Sequence, residues 1–348
     1  MQEFKTIGLD TAKNIFHFVG CDQRGKIQLR KVLRRANVLN FFAQIPSCRV
    51  GMEACSASHY WGREIEKLGH DVKLIPPQHV KAFLIGNKND YNDALAISEA
   101  VVRPGMRFVA IKTVEQQDQI LINHKRQEVI SARTQHCNRI RAMLSERGVV
   151  MTKGIVQLKR ALPALLENTE QLFSDSFMTV LHQDYEYLQD LDKRLFAYDQ
   201  RIKEINATSK SCMRLHTIPG FGPIVSSYFS AEIGDGRQFS KGRDVSASLG
   251  IVPAQHSSGG KEVLLGISKR GDSRMRCLLV HAARAVVCNI GDKQDPLSCW
   301  IRQLIQRIGI HKTIVAYANK MTRIGWAVLR YETEYQAYYA LQHQRQPV

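Results

Sequence analysis

Four carboxylates in the first hundred residues are spaced so that they could act together: Asp10, Glu53, Asp90 and Asp93. Asp10 closes the short apolar run KTIGLD, and Glu53 closes a second run, CRVGME. Asp90 and Asp93 lie three apart in a stretch of helical pattern, so their side chains share one helix face. If the two strand ends are neighbours and the helix packs over them, four negative charges converge. Such a cluster repels itself unless cations neutralise it. Hard oxygen ligands suit magnesium, with manganese as the alternative. Two such ions can hold the attacking and leaving oxygens of a phosphodiester. The plainer alternative makes Asp90 a helix cap, using NDYNDA as a start signal, and Glu53 a surface residue at a strand end.

A second group of reactive types lies in PAQHSSGGKEVLLGISKRGD, residues 253–272. Ser257 and Ser258 precede Gly259 and Gly260, with Lys261, Lys269, Arg270, Arg274 and Arg276 close behind. A serine hydroxyl is a poor nucleophile until its proton is removed or its attack is assisted. Metal ions or cations that stabilise phosphoryl charge could supply that assistance. The alternative is an ordinary flexible loop. Upstream, IPGFGPI (218–224) resembles the hairpin of a helix–hairpin–helix element. Gly220 and Gly222 permit a tight turn whose amides could approach a phosphate; alternatively the turn only joins two core helices. His59, Tyr60 and Trp61 read as packing on a helix, and no role is assigned to them.

These groups need elements to hold them. KTIGLD, NIFHFVGCD and KIQLRKVL read as strands, the last two joined by the turn DQRGK. CRVGME is a further strand, HYWGREIEKLG a helix with Gly69 as its stop, and DVKLIPP a strand closed by prolines. The pattern turns helical from about 78 to 103. This order fits an α/β domain with a mixed sheet over 1–110. Residues 114–148 read as a polar helix with apolar positions at Leu121, Ile130, Ile140 and Leu144. A second long helix covers about 176–206, with Leu188, Leu191, Leu195, Tyr198, Ile202 and Ile205 at steps of three and four. That spacing makes a coiled-coil seam, pairing within the chain or between chains. The expected organisation is therefore 1–110 α/β, 111–210 a helical assembly region, 211–340 a mainly helical region carrying the serine loop, and 341–348 a polar tail.

The 348 residues carry a formal net charge of +17. The excess is +6 over 1–110, +3 over 111–215 and +8 over 216–348. So large an excess favours an anionic partner, nucleic acid first and a membrane surface second, with the two ends as the nucleic-acid surfaces. No run of 18 apolar residues occurs, which argues against a spanning helix, and MQEFKTIGLD is no secretory signal. The eight cysteines form no CxxC pair, which argues against a zinc ribbon and for reduced thiols in a cytoplasmic protein.

Taken together, GLDTAKN, GMEAC, NKNDYNDALAI, IPGFGPI, SASLGIVPAQHSSGGK and GISKRGD resemble the IS110 family of insertion-sequence transposases, in its IS1111 branch. The resemblance runs from about residue 5 to 330. It implies an RNase H-like, RuvC-like α/β domain, a helical coiled-coil region and a mainly α transposase domain containing the helix–hairpin–helix-like element. It implies a recombinase that moves its own element in donor and target DNA, guided by a structured noncoding (bridge) RNA. The DEDD set Asp10, Glu53, Asp90 and Asp93 would hold Mg2+, and Ser258, the serine before glycine, would attack DNA to leave a covalent phosphoserine. Ser257 is the alternative nucleophile. Lys261, Lys269, Arg270, Arg274, Gly220 and Gly222 would contact nucleic acid. A homodimer assembling to a tetramer, at the nucleoid and not at a membrane, is implied as the working form. Two rivals stand beside this reading: a metal-dependent junction nuclease using water, and a non-catalytic nucleic-acid-binding protein.

Overall fold

The computed structural model describes residues 4–87, 89–168 and 173–337; the tail 341–348 lies outside them. The chain divides into two compact units, Met1–Val114 and Glu115–Val348.

The first unit is built on five strands: β1 (Thr6–Thr11), β2 (Ile15–Cys21), β3 (Ile27–Arg34), β4 (Arg49–Glu53) and β5 (Asp71–Ile75), in the order β3-β2-β1-β4-β5. β1, β2 and β3 are antiparallel neighbours, whereas β4 and β5 continue parallel to β1. Because successive side chains point to opposite faces, each strand supplies two layers. On one face Ile7, Leu9, Phe16, Phe18, Val50 and Met52 are buried with Phe42 of α1 (Val38–Ala43) and with Trp61 and Ile65 of α2 (Ser58–Lys67). The other face carries Gly8, Val19, Cys21 and Gly51, and α4 (Asp90–Ala100) lies against it.

Sequence pattern placed one helical stretch over 78–103. The structure breaks it into α3 (Pro77–Val80), a 3-10 turn over Lys81–Phe83, a loop and then α4. The reason is local. The run ends where Leu84 turns extended, Gly86 follows at φ +83°, and Asn89 restarts the helix by accepting the Asn92 N–H at 2.8 Å as an N-cap.

In the second unit three long helices, α5 (Val114–Ser145), α6 (Ile155–Asn168) and α7 (Asp175–Thr208), share a core of Cys137, Ile140, Leu144, Leu158, Leu162, Leu181 and Leu188. α5 and α7 run antiparallel. Arg126 meets Asp199 at 2.6 Å, Arg133 meets Asp192 at 2.9 Å, and the His136 ring lies 2.8 Å from the Asp184 carbonyl, so one numbering rises as the other falls. The predicted seam residues Leu188, Leu191, Leu195 and Ile202 are buried within this chain. Of the apolar positions read on α5, Ile140 and Leu144 are buried and Leu121 is exposed.

The remaining helices, α8 (Lys210–His216), α9 (Pro223–Ile233), α10 (Gly242–Ser248), α11 (Ser273–Cys288), α12 (Pro296–Ile308) and α13 (Ile310–Tyr331), enclose a second core around Tyr228, Phe229, Leu279, Tyr317 and Met321. Between α10 and α11 stands a two-stranded hairpin, β6 (Pro253–Gln255) and β7 (Leu264–Ile267). Among the described residues no helix is long and apolar enough to cross a membrane, and all eight cysteines are free thiols.

Candidate functional site

The carboxylates are brought together by strand register and by two glycines. Gly8 sits beside Gly51 across the parallel β1–β4 pair. A Cβ on Gly8 would lie 1.9 Å from the Ala94 carbonyl oxygen, and one on Gly51 3.0 Å from Ile97. At Gly8 only hydrogen lets α4 settle onto the sheet, and at Gly51 a side chain would already be tight. Two residues further along each strand, hence on the same face, stand Asp10 and Glu53. The side chains of Asp90 and Asp93 in the first turn of α4 reach the same region. Since Asn89 provides the cap, the Asp90 carboxylate is left free of that duty, and its side chain is 63% exposed.

One partner was not anticipated. His17 is the direct antiparallel neighbour of Asp10 in the β1–β2 ladder. Oxygens of Asp10 and Asp90 and a ring nitrogen of His17 all lie within 4.8 Å of one another. Glu53 and Asp93 fall outside that tight group but stay close enough to act on Asp10 electrostatically. The Asp10 carboxyl is pushed up to about 6, mainly by burial, then by the charges of Asp93 and Asp90; His17 opposes the shift and Glu53 adds a smaller upward push.

In the second unit the segment read as a loop is an ordered hairpin. The Lys261 N–H donates to the Ser258 carbonyl at 3.1 Å, and the His256 N–H to the Val263 carbonyl at 3.0 Å. Gly259 and Gly260 take φ of +56° and +80°, the pair of positive values that a type I′ turn requires. Ser258 therefore stands at the exposed tip. The Ser257 hydroxyl accepts from Gln255 Nε2 at 2.9 Å, whereas the Ser258 hydroxyl makes no hydrogen bond among the described residues. The base of the hairpin is held tightly. A Cβ on Gly250 would meet Arg270 backbone at 2.3 Å and one on Gly271 the Ser248 carbonyl at 1.8 Å. Arg276 Nη1 donates to the Leu249 and Arg270 carbonyls at 3.0 and 2.8 Å.

Lys261, Lys269, Arg270 and Arg274 are all exposed and enter no ion pair among the described residues. Lys269 takes φ +55°. Asp272 caps α11 by accepting from the Arg274 and Met275 amides. Its second oxygen accepts from the Tyr228 hydroxyl, which in turn lies 2.7 Å from His124 Nε2. Burial and Asp272 raise the Tyr228 hydroxyl, and burial together with Arg274 lowers His124.

The glycine turn at 218–222 does join α8 to α9. Gly220 takes φ +93° and faces Met321, Val286 and the Ala282 carbonyl. The Phe221 and Gly222 amides donate to the Ile218 and Gly220 carbonyls. The Gly222 amide is engaged inside the turn, and Gly220 combines a positive φ with close packing. Gly222 itself is exposed.

With this geometry in place, comparison with known proteins is decisive. A DEDD-type transposase family model matches residues 7–147, and that of the transposase IS116/IS110/IS902 family matches 212–296. A probable family 20 transposase of Pseudomonas aeruginosa is 43% identical over 94% of this chain and 98% of its own. The transposase for insertion sequence element IS1111A of Coxiella burnetii is 39% identical over 96% and 92%. That for IS1328 of Yersinia enterocolitica is 38% identical over 94% and 97%. The chain belongs to the IS110 family of transposases. It is a DNA transposase, and its mixed α/β unit with a central sheet fits a RuvC-like transposase domain.

Membership of a DEDD family implies dependence on a divalent metal, and the residues of this transposase fit one. Asp10 and Asp90 offer anionic oxygens, and the Nδ1 atom of His17 beside them is buried without a hydrogen-bond partner. His17 was missed because a lone histidine in an apolar strand reads as core; only its register opposite Asp10 marks it. Gly8 and Gly51 were likewise passed over, although a glycine inside a strand signals close backbone approach.

Proposed function

We propose that this transposase excises and inserts its own element by serine-mediated DNA strand exchange, guided by a structured noncoding RNA. The observation that carries the reading is the row of carboxylates on one sheet face beneath the first turn of α4. Asp10, Glu53, Asp90 and Asp93 would hold Mg2+ there. A bound divalent ion supplies stabilisation of the charge that builds on the phosphate oxygens. Ser258 is the nucleophile of choice: its hydroxyl is exposed and unshared, while that of Ser257 is engaged by Gln255.

In the reaction the Ser258 Oγ–phosphorus bond forms and the phosphodiester P–O bond breaks. The serine gives up its proton and the departing strand end takes one up. Because the phosphoserine linkage conserves the energy of the phosphodiester, a new strand end can attack it and rejoin DNA without another energy source. Lys261, Lys269, Arg270 and Arg274 contact the phosphate backbone, which gives affinity and register rather than sequence choice. Sequence choice falls to base pairing with the guide RNA, as in other guided systems, and the charge of +17 accommodates that RNA as well as DNA. Residues 1–110 carry the metal, 111–210 serve assembly into a dimer and then a tetramer, and 211–340 carry the serine and the helix–hairpin–helix-like turn at Gly220 and Gly222. The site of action is cytoplasmic, on the nucleoid.

Labelled donor DNA incubated with transposase and RNA and resolved on a denaturing gel tests this. A protein–DNA adduct is expected from wild type and from Ser257→Ala, and none from Ser258→Ala. Normal strand transfer by Ser258→Ala would overturn the covalent mechanism and leave water as the nucleophile.

A further inference from the structure

Building on the carboxylate reading above, we propose that His17 is itself a ligand of the ion, through Nδ1, and that this nitrogen makes the site favour Mn2+ over Mg2+. The register of the β1–β2 ladder puts His17 directly across from Asp10, so the two side chains leave the same face as near neighbours. The ring is held edge-on to Tyr91, with centroids 5.1 Å apart at 79°, and Tyr91 adjoins Asp90 on α4. Ring orientation is thus set by the same helix that delivers the carboxylate.

The Nδ1 atom is the unusual feature. It is buried and without a hydrogen-bond partner, and the nearest acidic oxygen, Asp90 Oδ2, is 3.4 Å away. Buried polar atoms as a rule have a partner, and an ion shared with Asp10 and Asp90 would give this nitrogen one. Bonds of about 2.1 Å to a divalent ion place opposite ligands roughly 4.2 Å apart. The three donor atoms already lie within 4.8 Å of one another, so closing on a shared ion needs side-chain shifts of only a few tenths of an ångström. The competing role is a protonated His17 that acts as a fixed counter-cation for Asp10 and Asp90 and touches no metal. The two roles predict opposite outcomes for a nitrogen–metal bond.

Selectivity follows from donor chemistry. Mg2+ demands oxygen ligands and gives up water reluctantly, while Mn2+ accepts imidazole alongside carboxylate. An all-oxygen cluster would serve either ion; a cluster with one imidazole favours the second.

The test uses the full-length transposase and Mn2+ alone, without DNA. Pulsed EPR on the bound ion is expected to show coupling to a directly bound imidazole nitrogen. His17→Gln and His17→Asn should lose that coupling and weaken Mn2+ binding at least tenfold, while Mg2+ affinity, read by competition, changes less. Thermal melting identifies a variant that fails to fold; the wild-type spectrum then decides, since absence of nitrogen coupling refutes the assignment. Mn2+ that binds in an Asp10-dependent manner with no nitrogen coupling, or with equal affinity in both His17 variants, overturns the proposal and leaves the carboxylate reading standing. Mn2+ binding untouched by Asp10→Asn would remove the carboxylate reading and this inference with it.

Discussion

Replacing Gly8 with alanine adds one methyl group, and the structure makes it the most telling change to the carboxylate site proposed to hold metal. The added Cβ would lie 1.9 Å from the Ala94 carbonyl oxygen, 2.6 Å from the Ser98 amide nitrogen and 2.9 Å from the Ser98 Cβ. Two of these are backbone atoms of one helix, so no side chain can swing aside. Ordinary contact begins near 3.4 Å, which means α4 must retreat by ~1.5 Å or the strand must buckle. Overpacking of this kind costs about 1–3 kcal/mol, and backbone opposition puts Gly8→Ala at the upper end. Because Asp90 and Asp93 ride on the first turn of α4, the retreat carries them away from Asp10. A misplacement of about 1 Å can cost roughly 100-fold in rate. We therefore expect Gly8→Ala to be folded, less stable by about 3 kcal/mol, and to bind divalent metal far more weakly. Gly51→Ala, whose Cβ would meet Ile97 and Val101 at 3.0 Å, should show the same defects to a smaller degree. Gly266→Ala, where nothing lies within 4 Å, should show neither. Urea unfolding and metal titration on the three variants supply the numbers. If Gly8→Ala matched wild type in both, close seating of α4 would not be what assembles the site.

Two further outcomes follow from hydrogen bonds and charge in the second unit. Tyr228→Phe removes the hydroxyl between His124 and Asp272; stability should fall by about 1–2 kcal/mol in denaturant unfolding, with the α11 cap kept by the other Asp272 oxygen. Burial raises Asp192, but Lys159 and Arg133 outweigh it and hold the carboxyl below its ordinary value. A depressed folded value means its stabilisation is complete above the unfolded value, about 3.9, and is lost as pH falls through the folded one. Unfolding measured from pH 7 down to 2 should therefore show an acid limb that is shallower in Asp192→Asn than in wild type.

Much of the carboxylate cluster could be read from the chain because its signals are local. The runs ending at Asp10 and Glu53 are apolar, short and bounded, and the three-residue step from Asp90 to Asp93 needs only helix geometry. What could not be read depends on register and on distant partners. His17 lies on the Asp10 face only because seven residues and a turn place it exactly opposite. At NDYNDA the cap lies one residue earlier than the plainer alternative has it, on Asn89 and not Asp90. Around Ser258 the glycine pair was legible as flexibility but not as a turn with both φ values positive, although Gly-Gly is a hairpin signal. The Tyr228–Asp272 bond spans 44 residues, and no periodicity reports such a pairing. The leucine stripe of α7 was legible as buried; its partner was not, since periodicity is blind to which surface covers it.

The two groups proposed to react are built to different mechanical standards, and the proposed chemistry accounts for the difference. Asp10 and Glu53 sit in strands of a sheet packed on both faces, with α4 held closely against Gly8 and Gly51. Ser258 sits on a turn where a Cβ on either adjoining glycine would touch nothing within 4 Å, while the hairpin's base is clamped by Arg276 and by the close backbone approach at Gly250 and Gly271. Charge stabilisation gains from rigid preorganisation, because a fixed field costs no reorganisation when charge develops. Under the serine mechanism proposed above the need is the opposite: a nucleophile joined to a DNA strand would have to carry that strand from one partner to the next. A firm base and a free tip meet that requirement, and a serine buried in the rigidity of the carboxylate row would not.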